Sequence, residues 1–370
     1  MPRRKTPDAA EAPEQDVIPE DVVDLPPPPP AGLWSPDVLG AGFEARTLPL
    51  LDDDEGEVGA TLVRHRPADD PDAFPGTPSS TTFTVLYLHG WNDYFYHRDV
   101  ARRWSQLGGA FYALDLRKYG RSLREHQTRG YTESLSTYDE DIHEALKVIR
   151  REQGVGTDLV LMGHSTGGLT AALWAHRHPG ALRALVLNAP WLELQGSLLL
   201  RGVAPLIGRL GRLQPKAVLP TADPGFYQRT LLGWTDDDGP VPEGEEDDPF
   251  VLGWEPNPAW RVVGAPIRAG WLSAILEGHA RVAGGLDIAC PVLVMSSGRS
   301  IISPRWSPEM REVDSVLDVD QIRRRALQLG PLVTLVRLDG AIHDVMLSRY
   351  AVRRRAHAEL ARWARTYVLR

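Results

Sequence analysis

From residue 43 onward, short apolar runs alternate with stretches whose apolar positions recur at helical spacing. Phe43–Leu50 and Val58–His65 predict an opening antiparallel pair, joined by the acidic turn Asp52-Asp53-Asp54-Glu55-Gly56. Residues 66–81 read as a Pro/Asp/Ser loop. Thr84–Leu88 is a buried strand, followed by a helix over about His97–Leu107 and a strand at Phe111–Leu114. Ser136–Arg151 predicts a helix with Tyr138, Ile142, Leu146 and Ile149 on one face. The apolar run Leu159–Met162 predicts a strand, then a helix ending at Pro179-Gly180, then a strand at Ala184–Leu187. Two late strands, Pro291–Met295 and Leu332–Leu338, precede a helix over about Ala351–Val368. This βα alternation predicts an α/β fold: a mostly parallel central sheet with helices on both faces.

Two segments break the rhythm. Residues 1–32 are acidic and proline-rich, ending in Pro26 to Pro30, and read as a disordered tail that buries too little to fold. Residues 191–285 are rich in Trp, Leu, Pro and acidic residues, with an acidic loop at Gly239 to Asp248. They read as a lid inserted into a core made of 33–190 and 286–370. No internal repeat is evident.

Composition narrows the function classes. A chain of 370 residues with 42% hydrophobic content carries an ample core, and a net charge of −8 argues against a nucleic-acid partner. Cys290 is the only cysteine, so no internal disulfide forms. The basic start Met1-Pro2-Arg3-Arg4-Lys5 has no apolar stretch behind it, so no signal peptide is expected. No run approaches the ~18 apolar residues of a membrane span. The expectation is a soluble, cytoplasmic protein.

The chemistry centres on Gly163-His164-Ser165-Thr166-Gly167, which lies between a strand and a helix. That pattern is a nucleophile elbow: a tight turn that exposes a serine hydroxyl above a sheet, with glycines where a Cβ would clash. A serine needs a base, and the base needs an orienting acid. His343, in Gly340-Ala341-Ile342-His343-Asp344 just after the last strand, is the candidate base. The acid is displaced. Ser296-Ser297-Gly298-Arg299-Ser300, after the preceding strand, holds no carboxylate. An insertion at about 301–313 moves the first aspartate to Asp314, 29 residues before the base and ahead of a helix at Gln321–Gln328. Asp318 and Asp320 are the fallbacks, and either would serve equally as a helix cap. The backbone N–H groups of Trp91, in His89-Gly90-Trp91, and of Thr166 are the candidate oxyanion donors. His89 reads as structural, and the run from Trp91 to Tyr96 as pocket lining or packing. Asp115 and Arg117 read as ties for the loop that follows Phe111–Leu114. No metal-ligand cluster stands out, and no phosphate loop; Val282-Ala283-Gly284-Gly285 reads as a turn leaving the lid.

Together these residues resemble the serine aminopeptidase and monoacylglycerol lipase (lysophospholipase-like) branch of the α/β-hydrolases. The resemblance covers about 43–370. It rests on His89-Gly90-Trp91, Asp115-Leu116-Arg117 through Gly120-Arg121-Ser122, the elbow with Gly168, and Gly340-Ala341-Ile342-His343-Asp344. It implies Ser165 as nucleophile, His343 as base, Trp91 and Thr166 as oxyanion amides, and ester or amide hydrolysis without a cofactor. The family's usual acid position, around Ser300, is vacant here.

Three readings of function follow. The first is an ester hydrolase for acylglycerol- or lysophospholipid-like substrates. Leu199, Val203, Leu206, Ile207 and Leu210 fall at helical spacing, with Arg201, Arg209 and Arg212 mostly elsewhere on the wheel. That pattern suits either a transient membrane contact or a lid helix packed on the domain. The second is an aminopeptidase, which needs a lid carboxylate for the substrate ammonium; Glu193, Glu277 and Glu243-Gly244-Glu245-Glu246 are candidates. The third is a non-catalytic module that kept the fold, supported only by the displaced acid. Oligomeric state leaves no mark in the sequence.

Overall fold

Strands that must be covered on both faces read as continuous apolar runs, and the central strands here do. In the strand Phe83–Leu88, Leu86 and Leu88 join one core while Phe83, Val85 and Tyr87 join the other. The computed structural model describes residues 25–194, 198–220 and 223–369, with the backbone alone for 198–205.

Among the described residues, nine strands form one sheet. They are β1 (Ser35–Pro36), β2 (Phe43–Pro49), β3 (Gly59–His65), β4 (Phe83–Leu88), β5 (Gly109–Asp115), β6 (Asp158–His164), β7 (Ala184–Asn188), β8 (Val292–Ser297) and β9 (Val333–Leu338). The order is β1-β2-β3-β5-β4-β6-β7-β8-β9. β1, β2, β3 and β5 pair antiparallel in turn, and every pair from β5 to β9 is parallel. The helices are α1 (Arg98–Gln106), α2 (Tyr138–Gln153), α3 (Thr166–Arg177), α4 (Leu198–Leu213), α5 (Phe226–Leu231), α6 (Pro249–Leu252), α7 (Ala269–Ala283), α8 (Val319–Ala326) and α9 (Tyr350–Tyr367). Helices α2, α3, α7 and α8 cover one face of the sheet, and α1 and α9 cover the other.

Local signals explain the elements. Helix α2 opens on Asp139, Glu140 and Asp141, closes on Arg150 and Arg151, and stops at Gly154 with φ 91°. Charge of each sign therefore sits at the end of the helix dipole it stabilises, and glycine takes the left-handed exit. Parallel pairing puts the carboxyl ends of β4, β6, β7, β8 and β9 along one edge. Leu88 is in register with Gly163, and His164 with Asn188. The loops that follow these strands are thereby gathered above that edge, where open α/β sheets hold their ligands.

Among its described residues, the segment expected as a lid carries α4 to α7 and no named strand; Val218 and Arg268 form an isolated bridge. Helix α4 packs on α7, and α7 on α3. Lys216 reaches across to Asp54 and Glu55 at 2.6 and 2.9 Å, so the acidic turn after β2 also moors this segment. Burial would raise the Glu55 carboxyl, but Lys118, Thr128 and Lys216 hold it down at about 2.

The expected tail differs at its end. Residues 1–24 lie outside the described residues. Residues 25–32 run against β2: Thr47 donates its Oγ1 to the Pro29 carbonyl at 2.6 Å and its N–H to the Pro30 carbonyl at 3.2 Å. Proline has no N–H to give, so the ladder here uses only its carbonyls, as suits a sheet edge.

Candidate active site

The elbow joins β6 to α3, and Ser165 sits at φ 52°, ψ −118°. Such a conformation costs a non-glycine residue about 1–3 kcal/mol and persists only where its surroundings enforce it. They do so here. The Ser165 N–H donates to the Asn188 carbonyl at 3.1 Å, and its carbonyl accepts the Trp191 N–H at 3.0 Å. A Cβ at Gly163 would lie 2.5 Å from the Gly167 carbonyl oxygen, and one at Gly167 would lie 2.2 Å from that of His89. Neither position accepts a side chain.

His343 lies in the loop after β9, with Nδ1 2.9 Å from Asp314 Oδ2. Tyr227 meets the ring edge-on at 5.1 Å and His164 tilts against it at 4.9 Å, so the ring is held between them. An Nδ1–H given to the carboxylate leaves Nε2 as the accepting nitrogen, the tautomer a base requires.

The candidate acid's displacement along the sequence is undone in space. Residues 301–313 leave β8 and return, so that Ser300 and Asp314 form a parallel bridge. The Ile301 N–H donates to the Asp314 carbonyl at 3.0 Å, and the Asp314 N–H to the Arg299 carbonyl at 3.1 Å. Asp314 Oδ1 is taken by the N–H groups of Val316 and Leu317 at 2.8 and 2.7 Å, which turns Oδ2 toward His343. Asp318 instead caps α8, accepting from the N–H groups of Asp320 and Gln321. Asp320 pairs with Arg323 at the surface.

Ser165, Thr166, Trp91 and His343 line one cavity of about 310 Å³. Thr166 is the first residue of α3, where a helix leaves N–H groups without internal partners. Gly90 lets the Trp91 loop close on the elbow; a Cβ there would stand 3.2 Å from that of Ser165. His89 is structural, as expected. Its Nε2 accepts the Leu116 N–H at 3.0 Å, so its Nδ1–H donates to the Gly90 carbonyl at 2.8 Å and sets that loop. Of the run Trp91 to Tyr96, the first three residues line the cavity, while Tyr94, Phe95 and Tyr96 are core. Asp115 and Arg117 do tie their loop, but not through each other. Asp115 holds Arg121 at 2.7 Å, and Arg117 holds Asp141 on α2 at 2.6 Å.

Sequence patterns missed the cavity's other walls. Trp271 lies 3.9 Å from Trp91 and 6.2 Å from Trp191 between ring centroids, forming an aromatic wall. In the same cavity, Arg261 pairs with Asp93 at 2.8 Å and donates to Gln228 at 2.7 Å. Burial disfavours the Arg261 charge, but Asp93 outweighs it and keeps the guanidinium charged. Asn92 donates to the Val262 carbonyl at 2.5 Å. Asp93 and Arg261 lie 168 residues apart and Asn92 and Val262 170, and no local period announces such pairs.

Buried histidines give the fold an acid-sensitive side. Burial lowers His164 and His279 to about 4, against the pull of Asp344 on the first and of the Trp191 carbonyl on the second. Burial lowers His357 to about 3, helped by Arg103 and Arg353. The unfolded chain protonates these rings near 6.5, so below that pH it binds more protons than the folded one. Stability present above pH 6.5 is therefore lost as pH falls toward 4 and 3, at up to ~1.4 kcal/mol per unit for each ring. Urea midpoints should drop steadily between about pH 7 and pH 5; a flat midpoint would contradict this.

Comparison with known proteins gives the family and the fold. Residues 79–346 match the family described as "Serine aminopeptidase, S33". The chain is 32% identical over 130 residues to a monoacylglycerol lipase of Mycolicibacterium smegmatis, covering 34% of this chain and 45% of that one. It thus spans less than half the length of that relative. Among solved structures, it is similar to a soluble variant of monoglyceride lipase from Saccharomyces cerevisiae at TM-score 0.57 and 14% identity, over 90% of this chain and 94% of that one. A carboxyl esterase from Bacillus coagulans aligns at TM-score 0.59 and 16% identity, over 87% and 98%. At such identities the likeness speaks for the fold.

Proposed function

The chain belongs to the serine aminopeptidase S33 family of α/β-hydrolases, and from that premise we propose that it hydrolyses carboxylic esters of acylglycerol or lysophospholipid type. Ser165 attacks the ester carbonyl and His343 takes its proton. Asp314 orients His343 and stabilises its charged form. The N–H groups of Trp91 and Thr166 hold the oxyanion, and water then releases the acyl-enzyme. The lid is residues 191–285.

The observation that carries the ester reading is the wall over Ser165: Trp91, Trp191 and Trp271 with Val262, Val263 and Ile267. It suits an acyl chain. An aminopeptidase would need an open carboxylate beside it. Glu193 is held by Arg325 and Glu245 by Arg349, and neither they nor Glu243, Glu246 and Glu277 line the cavity. Among the described lining residues the carboxylates are Asp93, closed by Arg261, and Asp223 at the exposed rim. The test is turnover of a medium-chain monoacylglycerol against an N-terminal amino-acid arylamide. Ester turnover alone is expected. Arylamide turnover that Asp223→Asn removes would overturn the reading.

Contact with a lipid surface through the lid belongs to the same proposal. Leu206 and Leu213 on α4 are 67% and 69% exposed, and Arg209 and Arg212 flank them. Leu199 and Val203 fall where only the backbone is described. Among the described residues, no helix is long and apolar enough to cross a membrane. Leu206→Ser with Leu213→Ser should slow hydrolysis of vesicle-borne monoacylglycerol several-fold and leave a dissolved acetate ester unaffected. Equal loss on both substrates would contradict the surface role.

A further inference from the structure

Asn188 closes β7 and is fully buried. Its backbone serves the elbow: the carbonyl accepts the Ser165 N–H at 3.1 Å and the His164 Nδ1–H at 3.1 Å. Its side chain serves the opposite loop. Nδ2 donates to Asp344 Oδ1 at 2.6 Å, and Oδ1 accepts the Val345 N–H at 3.2 Å. A carboxylate on one side and an N–H on the other admit only one orientation of the amide. Asp344 directly follows His343 and caps the turn Val345–Leu347 through the Met346 N–H at 2.9 Å. One buried residue thus bonds both to the peptide of the serine and to the immediate successor of the histidine.

We propose that Asn188 is a positioning residue that fixes the Ser165 hydroxyl and the His343 ring relative to each other. It stands outside the residues lining the cavity, so it acts through these two and not on substrate. Without the amide link, the elbow and the histidine loop keep only looser contacts here: the His164–His343 ring contact at 4.9 Å and the 3.9 Å approach of His164 Nδ1 to Asp344 Oδ2. A shift of about 1 Å between reacting groups is enough to cost a large factor in rate. The proposal rests on Ser165 and His343 acting as nucleophile and base.

Asn188→Asp makes the link titratable. As a neutral acid, Asp at 188 donates O–H to Asp344 and accepts from the Val345 N–H, as the amide does. Once ionised, it faces a second carboxylate, and like charges repel. Asp344 is itself faced by His97 Nε2 at 3.5 Å and His164 Nδ1 at 3.9 Å. His357 on α9 and Tyr87, Tyr96 and Tyr227 lie within its field.

The experiment is the pH profile of kcat and KM for p-nitrophenyl butyrate, from about pH 6 to pH 9. Asn188→Asp should approach wild-type kcat at the acid end and fall at least ~10-fold below it at the alkaline end, with KM unchanged. The double variant Asn188→Asp, Asp344→Asn removes the repulsion and should lose the alkaline fall. A kcat ratio to wild type that is flat with pH, or a loss carried by KM, would overturn the proposal. Should Asn188→Asp fail to fold, Asn188→Ala keeps the backbone bond to Ser165 and carries the test. It should lose kcat ~10-fold at constant KM, and wild-type kcat would overturn the proposal. A wild type that does not turn over the ester overturns the proposed function together with this role.

Discussion

Asp314→Asn should lower kcat by a factor on the order of 10⁴ while the protein stays folded. The hydrogen bonds around residue 314 dictate this loss. Oδ1 of residue 314 must still accept two backbone N–H groups, from Val316 and Leu317. The amide nitrogen of the variant would then face His343 Nδ1 and donate to it. That forces the proton onto Nε2, and a protonated Nε2 cannot take the Ser165 proton. Asp318→Asn is the matched control. Asparagine caps a helix about as well as aspartate, so α8 and the activity should both be retained. If Asp318→Asn collapsed the activity and Asp314→Asn left it intact, the acid would be misassigned.

Ser165→Ala should lower kcat by a factor on the order of 10⁴ to 10⁶, leaving the residual rate that binding and the oxyanion donors supply. The fold should be unchanged, because the grip on residue 165 is made by backbone. The bonds to Asn188 and Trp191 need no hydroxyl. The positive φ is as costly for alanine as for serine, so little stability is gained or lost. Circular dichroism and a melting curve check the fold. Activity retained in a folded Ser165→Ala protein would remove the nucleophile from the account.

The elements that local sequence dictates were legible, and those that long-range contact dictates were not. The elbow shows because its constraint is local: Gly163 and Gly167 are required within two residues of Ser165. The strands show because burial on both faces imposes an unbroken apolar run. Their ends do not, since pairing sets them; β5 starts at Gly109 because Gly109 sits opposite Phe83. The candidate acid was legible only as a choice among three aspartates. Nothing in the sequence states that 301–313 returns to Ser300. The cavity's polar side was illegible for a similar reason, since Asp93 and Arg261 meet across 168 residues. The tail boundary moved because prolines 29 and 30 lend their carbonyls to Thr47, a use that composition does not reveal. Asn188 drew no notice as a polar residue ending an apolar strand, yet it bonds to both sides of the site.

The central claim is that Ser165 is the single activated nucleophile. The most direct measurement is mass spectrometry of the protein after exposure to a serine-reactive fluorophosphonate, with peptide mapping. The account predicts one adduct per chain, on the peptide that contains Ser165, and none in Ser165→Ala. A folded wild type that takes no adduct, or takes it on another serine, would contradict it.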